Sequence, residues 1–399
     1  MRELRDILAA LSDLRARGER AAMATVVRVR GSTYRREGAR LLVQADGRTL
    51  GSISGGCLEG DVAEVARGVI ETGRPRLVSY DLTSDDDAVW GLGLGCNGAI
   101  DVFVEPASPG EGGDLLAVLL EPIDHRRRVA IATVITSPAG SPAVGARIFI
   151  RETGEARGSV GDRLLDDRIV AAARAQMATG RSTVLPVEQP TGQAEVSIEV
   201  VAPPLPLLVC GAGHDALPLV RFAHELGWWV TVADSRPAFA TRERFPWADE
   251  VVLAEDREVA QKVEIDRHTF VVLMTHNFLH DKNILRSLLG TPARYIGLLG
   301  PRARTERLLT ELANEGVAIF DGQCSRLYGP VGLDLGAETP EEIAVSILAE
   351  ILAVQNGRTV AFLRDRGGPI HETAQPPDRA ARTRGSVSTT GPNVRACQD

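Results

Sequence analysis

Apolar residues recur at helical spacing early in the chain, and that pattern gives way to short buried runs after residue 203. Leu4, Ile7, Leu8, Leu11 and Leu14 stand between charged residues, which predicts an amphipathic helix over residues 1–17. Leu58, Val62, Val65, Ala66 and Val69 repeat the spacing up to Gly73, a suitable stop. Around the second helix lie strand-like runs: 39–44 and 48–53, joined by a turn at Asp46-Gly47, then 76–80 and 100–104. Residues 81–98 make a long Gly- and Asp-rich loop, whose Asp85-Asp86-Asp87 run reads as a solvated surface.

An internal repeat organises this half. Ala24-Thr25-Val26-Val27, Gly31-Ser32 and Gly38-Ala39-Arg40-Leu41-Leu42-Val43 return as Ala132-Thr133-Val134-Ile135, Gly140-Ser141 and Gly145-Ala146-Arg147-Ile148-Phe149-Ile150. Each copy continues through a Gly-containing turn, a Gly-Ser segment at Gly51 or Gly158, and a helix-like stretch. Two units of similar build are therefore expected. Where the first copy carries Gly55-Gly56-Cys57, the second has Val160-Gly161-Asp162. The duplication reads as scaffold, with chemistry on one half.

Pro203-Pro204-Leu205-Pro206 is the clearest linker. Beyond it, residues 207–210, 229–233, 270–274 and 295–299 are short apolar strands with helical stretches between, and Thr339-Pro340-Glu341-Glu342 opens a closing helix through Val354. From Gly367 onward Pro, Gly, Ser, Thr and Arg dominate. The expected fold is α/β: a duplicated α+β domain over residues 1–202, a doubly wound Rossmann-like domain with a parallel sheet over 207–360, and a disordered tail over 361–399.

Composition narrows the function classes. Hydrophobic content of 44% and charged content of 25% are ordinary for a globular protein. A net charge of −8 argues against a nucleic-acid or anionic-membrane surface. The dense basic cluster His125-Arg126-Arg127-Arg128 reads as a solvated turn before a strand. Five cysteines without framework spacing or a CxxC point to a reducing compartment and away from a zinc ribbon. With no apolar run near the ~20 residues a membrane span needs and no signal-type leader, a cytoplasmic location is expected.

Two glycine-flanked cysteines carry the candidate chemistry: Cys57 in Ser54-Gly55-Gly56-Cys57-Leu58-Glu59, and Cys96 in Gly93-Leu94-Gly95-Cys96-Asn97-Gly98. Gly55 and Gly56 free backbone amides, and a thiol at a helix start lies near the positive end of the dipole, which favours its thiolate. Cys57 is read either as a nucleophile or soft metal ligand, or as a small hydrophobe in a tight turn. Farther on, Gly211-x-Gly213-x-x-Ala216 follows a strand and opens a helix, with Asp234 about 20 residues later. This fits a dinucleotide fingerprint: glycines for backbone approach to a pyrophosphate, Asp234 for a ribose hydroxyl, Arg236 suggesting tolerance of an extra phosphate. The alternative is a Rossmann fold that holds no dinucleotide. His214 lies inside the turn, as a phosphate or pterin contact or as a solvent-facing helix-start residue. His276 and His280 follow a strand end; His276 is expected to contact an anion or cofactor and His280 to lie on the surface. Acid–base pairs and a Ser-His-Asp order do not emerge.

Gly31-Ser32-Thr33 with Arg35 and Gly38-Ala39-Arg40, Gly51-Ser52-Ile53-Ser54-Gly55-Gly56-Cys57-Leu58-Glu59 and Gly95-Cys96 resemble the N-terminal domain of the XdhC/CoxI family. Gly211-Ala212-Gly213-His214, Asp234-Ser235-Arg236-Pro237, Thr275-His276, Tyr295 to Gly300, Gly332 to Gly336 and Thr339-Pro340-Glu341-Glu342-Ile343-Ala344 resemble its Rossmann domain. The likeness spans residues 1–360. It departs at Tyr34, where the family commonly has proline, and at Asn97, where it commonly has glycine.

The resemblance implies an accessory factor for molybdenum hydroxylases such as xanthine dehydrogenase. Such a factor binds molybdenum cofactor, shields it while its terminal sulfido ligand is installed, and delivers it to the apo-enzyme. It implies Cys57 as the main contact to molybdenum or its sulfur, Cys96 as the second, and Gly211 to His214 as a rest for the cofactor's phosphate or nucleotide. Arg35 and Arg40 are candidate anion contacts, Arg40 alternatively a surface strand residue. Implied partners are a molybdenum hydroxylase client, a cysteine desulfurase and cofactor-synthesis proteins, with a homodimer plausible. The competing functions are an NAD(P)-dependent oxidoreductase using the Gly211 fingerprint and a sulfurtransferase with a Cys57 persulfide.

Overall fold

A computed structural model describes residues 1–31, 33–81, 98–107, 114–138, 142–189 and 192–367. Cys96, the Asp85-Asp86-Asp87 run and the tail from residue 368 lie outside the described residues. The chain divides into two compact units, at Pro204 and Leu205.

The first unit opens with helix α1 (Arg2–Ala16), then β1 (Ala21–Gly31), β2 (Arg40–Gln44), β3 (Thr49–Gly51), α2 (Glu59–Thr72), β4 (Arg76–Asp81) and β5 (Gly98–Pro106). After α3 (Leu115–Asp124) come β6 (Val129–Thr136), β7 (Arg147–Arg151), β8 (Ala156–Ser159), α4 (Arg163–Thr179), β9 (Thr183–Gln189) and β10 (Gly192–Val201). Among the described residues these strands form two five-stranded antiparallel sheets, ordered β3-β2-β1-β5-β4 and β8-β7-β6-β10-β9. The repeat extends to register: Thr25 pairs Arg40 as Thr133 pairs Arg147. Gly51 and Gly158 show why both copies need glycine, since a Cβ there would meet the carbonyl oxygen of Arg40 at 2.4 Å or of Arg147 at 2.2 Å.

Each sheet buries one face under its own helix. Val62, Ala66, Val69 and Ile70 of α2 pack on Ala24, Val26, Leu41 and Val102, and Leu165, Ile169, Ala173 and Met177 of α4 on Ala132, Val134, Ile148 and Val196. Full burial contributes ~1.5–3 kcal/mol per large aliphatic side chain. Leu8, Leu11 and Leu14 of α1 join Leu116 and Leu119 of α3 in a further cluster with Met23 and Ile131.

The two copies also exchange charges. Arg40 of the first, 5% exposed, donates through Nη2 to Glu199 of the second at 2.6 Å. Arg147 of the second donates to Glu105 of the first. Glu105 faces Met23 and Glu199 faces Ile131 at equivalent register, so the pairs are reciprocal. Arg28 breaks the symmetry, bridging Asp101 at 2.9 Å and Glu195 at 2.5 Å.

The second unit comprises β11 (Pro206–Cys210), α5 (Ala216–Glu225), β12 (Trp229–Asp234), β13 (Glu250–Leu253), α6 (Val259–Lys262), β14 (Phe270–Leu273), α7 (Phe278–Leu289) and β15 (Tyr295–Leu298). It ends with α8 (Arg302–Asn314), α9 (Asp321–Cys324), β16 (Leu327–Tyr328), α10 (Pro340–Gln355) and a 3-10 turn at Leu363–Asp365. The strands form a parallel sheet ordered β13-β12-β11-β14-β15-β16, the doubly wound order whose halves part between β11 and β14. Leu219, Val220 and Ala223 of α5 with Ile347 and Ile351 of α10 cover one face; Leu285 and Leu288 of α7 with Leu308 and Leu312 of α8 cover the other. Both faces are buried, which explains the unbroken apolar strand runs.

A capping box starts α10: Thr339 Oγ1 accepts from the Glu342 amide at 3.3 Å, and the Glu342 carboxylate accepts from the Thr339 amide at 3.0 Å. Thr339→Ala is expected to cost about 1 kcal/mol, read as a melting temperature lower by about 2–4 °C. Among the described residues no helix is long and apolar enough to cross a membrane.

Candidate cofactor site

The sequence predicts a strand over residues 48–53, yet β3 stops at Gly51, because Glu59 draws the following segment into a loop. Its carboxylate accepts from Ser52 Oγ at 3.0 Å, the Ile53 amide at 3.2 Å and the Ser54 amide at 3.0 Å. The Ser54 hydroxyl donates to it as well, while Ser54 Oγ accepts from the amides of Gly56 at 3.1 Å and Leu58 at 3.2 Å. Burial alone would push the Glu59 carboxyl up; the hydrogen bonds from Ser54 and Ser52 outweigh it and hold the carboxyl below the usual glutamate range. Glu3 pins the loop's start, accepting from the Ser52 amide at 2.8 Å.

The loop is thus tied at both ends and free at its crown. Gly55 and Gly56 are exposed there, and Cys57 is half-buried against the α2 core. The second copy repeats the clasp. Asp166 accepts from Ser159 Oγ at 2.7 Å and the Val160 amide at 2.8 Å, and Leu165 is buried as Leu58 is. The shared register corrects the sequence comparison, which set Asp162 against Cys57: the residue at the position of Cys57 is Leu164, 77% exposed. At that of Gly55 stands Asp162, which caps α4 by accepting from the Leu165 amide at 3.0 Å. By contrast the residue before α2, Leu58, makes no side-chain cap.

Of the two arginines singled out in sequence, Arg35 binds Glu3. Arg40 is buried and paired with Glu199, which corrects the surface-strand alternative. Its partner lies in the other copy, where the alternating pattern of β2 cannot point to it.

In the second unit, Gly211 has φ +115° and a Cβ there would lie 2.6 Å from the Met274 carbonyl oxygen, so the glycine turn packs directly on the β14 end. His214 is exposed beside Gly213. Asp234 is 7% exposed and fully engaged: it accepts from the Ala212 amide at 2.7 Å, and from Arg236 through its amide at 2.9 Å, Nε at 2.8 Å and Nη2 at 2.7 Å. Burial raises its carboxyl, but the Arg236 fork and the amides prevail and hold it below the usual aspartate range. Arg236, which in sequence suggested tolerance of an extra phosphate, folds onto Asp234; a ribose hydroxyl would have to displace it.

His276 and His280 do not converge. His276 precedes α7 with φ +58° and sets Nε2 2.6 Å from Asp215 Oδ2; His280 sets Nδ1 2.7 Å from Asp256 Oδ2. Sequence reasoning missed these carboxylates and Asp281, which is 2% exposed and accepts from Thr275 Oγ1 and Arg304 Nη2, each at 2.6 Å. The legible signal was an aspartate at or shortly after the end of each of β11, β12, β13 and β14. Of these, Asp234 and Asp256 line a cavity of about 300 Å³ that Gly211, Thr275 and His280 also border. Cys210 is buried within the sheet, where loss of hydration pushes its thiol well up and out of chemistry. Among the described residues no group of three or more His, Cys, Asp or Glu side chains could hold a metal ion.

Comparison with known proteins agrees with this architecture. The chain is 34% identical over 353 residues to a probable xanthine dehydrogenase subunit of Bacillus subtilis, covering 86% of this chain and 96% of that protein. It is 24% identical over 339 residues to the molybdenum cofactor insertion chaperone PaoD of Escherichia coli, covering 85% and 84%. A crystal structure described as a xanthine dehydrogenase from Bacillus halodurans superposes with a TM-score of 0.70 at 34% identity, covering 88% of this chain and 96% of that one. Residues 14–81 and 123–188 match the XdhC and CoxI family, and residues 207–351 match the XdhC Rossmann domain. With both halves matched, the chain belongs to the XdhC and CoxI family.

Proposed function

We propose that this protein is an accessory factor in the maturation of a xanthine dehydrogenase-type molybdenum hydroxylase. It binds molybdenum cofactor, shelters it while the sulfido ligand is installed, and passes it to the apo-enzyme in the cytoplasm. A cysteine desulfurase is the fitting sulfur source. The observation that carries this reading is Cys57 on a clasped loop whose duplicate, lacking the thiol, keeps the clasp.

The donor set fits such a guest. Among the described residues no cluster could hold a bare metal ion, and the guest proposed here brings its metal already ligated, by a pterin dithiolene. A single soft thiolate then adds one matching donor. The bound group would supply the redox-active metal; Cys57 would hold it, and the exposed Gly55 and Gly56 would let the backbone approach it closely. Cys96 is a proposed second thiol contact from its sequence setting. Separately, a dinucleotide such as NAD is the proposed occupant of the Rossmann turn, with Gly211, Gly213, His214, Asp234 and His276 as its proposed contacts.

Protein purified without oxygen from cells making the cofactor should carry a pterin that fluoresces after oxidation. Cys57→Ala should lower the recovered pterin at least about tenfold, a loss of roughly 1.4 kcal/mol or more in binding. Equal pterin recovery from both proteins, or none from the wild type, would overturn the reading.

A further inference from the structure

The duplicated scaffold serves as an internal control, since features present in one copy alone are not required by the fold. Two such features adjoin. One is the thiol loop. The other is the turn between the register-paired residues Thr25 and Arg40, one residue longer than its counterpart between Thr133 and Arg147. The turns share their closing hydrogen bonds, Ala39 amide to Arg36 carbonyl at 3.1 Å and Ala146 amide to Ala143 carbonyl at 3.0 Å. At equivalent places the first copy has Arg35 and Arg36, the second Pro142 and Ala143.

This turn borders a cavity of about 480 Å³ that includes Tyr34, Arg35, Arg36 and Arg40, within the usual range for small-molecule sites. Tyr34 is 71% exposed, and its Cγ lies 3.8 Å from where a Gly55 Cβ would stand. The cavity therefore adjoins the thiol loop. Arg147 satisfies its Nε on Thr133 Oγ1 at 3.1 Å. The equivalent Nε of Arg40 is buried and has no hydrogen-bond partner, on a residue only 5% exposed. A guanidinium donor left open at that depth calls for an acceptor. Glu3 and Glu199, which also border the cavity, are committed to Arg35 and Arg40 and hold those guanidiniums in place.

We propose that this cavity is a phosphate site for the phosphorylated side chain of a flat heterocycle, with Arg35 and Arg40 donating to the phosphate and the Tyr34 ring lying against the heterocycle. Guanidinium forks match phosphate oxygens in geometry and charge, and an exposed phenol ring offers a stacking face. The inference deepens the reading above: it assigns the pterin phosphate end of the guest whose metal end is assigned to Cys57.

The test uses two fluorescent probes on the full chain, neopterin 3′-monophosphate and unphosphorylated neopterin. Wild type should prefer the phosphorylated probe by about tenfold or more. Arg35→Ala should abolish the preference, and Tyr34→Ala should weaken both probes by about fivefold. These two variants leave the buried Arg40–Glu199 pair intact and so should fold. No binding of either probe, equal binding of both, or a preference that survives Arg35→Ala would overturn the site. Cys57→Ala should keep the preference. If that variant also retained metal-bearing cofactor, the thiol assignment would fall while the phosphate site stood.

Discussion

Replacing Glu105 with alanine is expected to destabilise the first unit by about 3–5 kcal/mol, because it leaves the buried Arg147 guanidinium without its carboxylate. Chemical denaturation with the signal followed at two wavelengths would measure it. The double variant Glu105→Ala with Arg147→Met should recover most of the loss, since removing both charges also removes the need to bury either. A single-variant loss below about 1 kcal/mol, typical of an exposed pair, would mean that water reaches this pair in solution.

Glu59→Gln is expected to act more locally. A neutral amide accepts less strongly than a carboxylate and turns donors toward amides that need acceptors, so about 2 kcal/mol of loop stability should be lost. The readout is alkylation of Cys57 followed by peptide mass spectrometry, with a rate several-fold above wild type. The pH dependence follows from the lowered Glu59 carboxyl. Its contribution is full above the unfolded glutamate value of about 4.3 and is lost as pH falls through the lower folded value. Wild-type Cys57 should therefore become more accessible in acid, whereas Glu59→Gln should show a flat, already raised accessibility. An unchanged alkylation rate in the variant would remove Glu59 as the loop's organiser.

Local pattern carried the fold far. The repeated Ala-Thr-Val and Gly-Ala-Arg strings marked two equivalent sheets because strand pairing preserves register, and Thr339-Pro340-Glu341-Glu342 marked the start of α10 because capping is decided within four residues. The Gly211 fingerprint and the linker marked a parallel-sheet unit for the same reason. Two things were not legible. Leu115–Asp124 forms α3 with Pro122 inside it, and that apolar run with a proline has no clear helical period. Pairings across the duplication were also hidden: Arg40 with Glu199 and Arg147 with Glu105 join strands distant in sequence, where no local pattern links them. At the site, Cys57 and its glycines stood out, while the role of Glu59 depended on a loop closing back on its own helix. Asp234 stood at the expected spacing, but the conformation of Arg236 that occupies it could not be read from two residues' separation.

Covalent joining of the two copies has a consequence for stoichiometry. A symmetric pair of separate chains would have to display its gripping sulfur twice or not at all, and would offer two equal berths. Here Leu164 occupies the counterpart of Cys57, and Arg28 reaches both Asp101 and Glu195 from one side only. If Cys57 is the grip proposed above, one berth per polypeptide follows, and handing over a single molecule would empty the carrier.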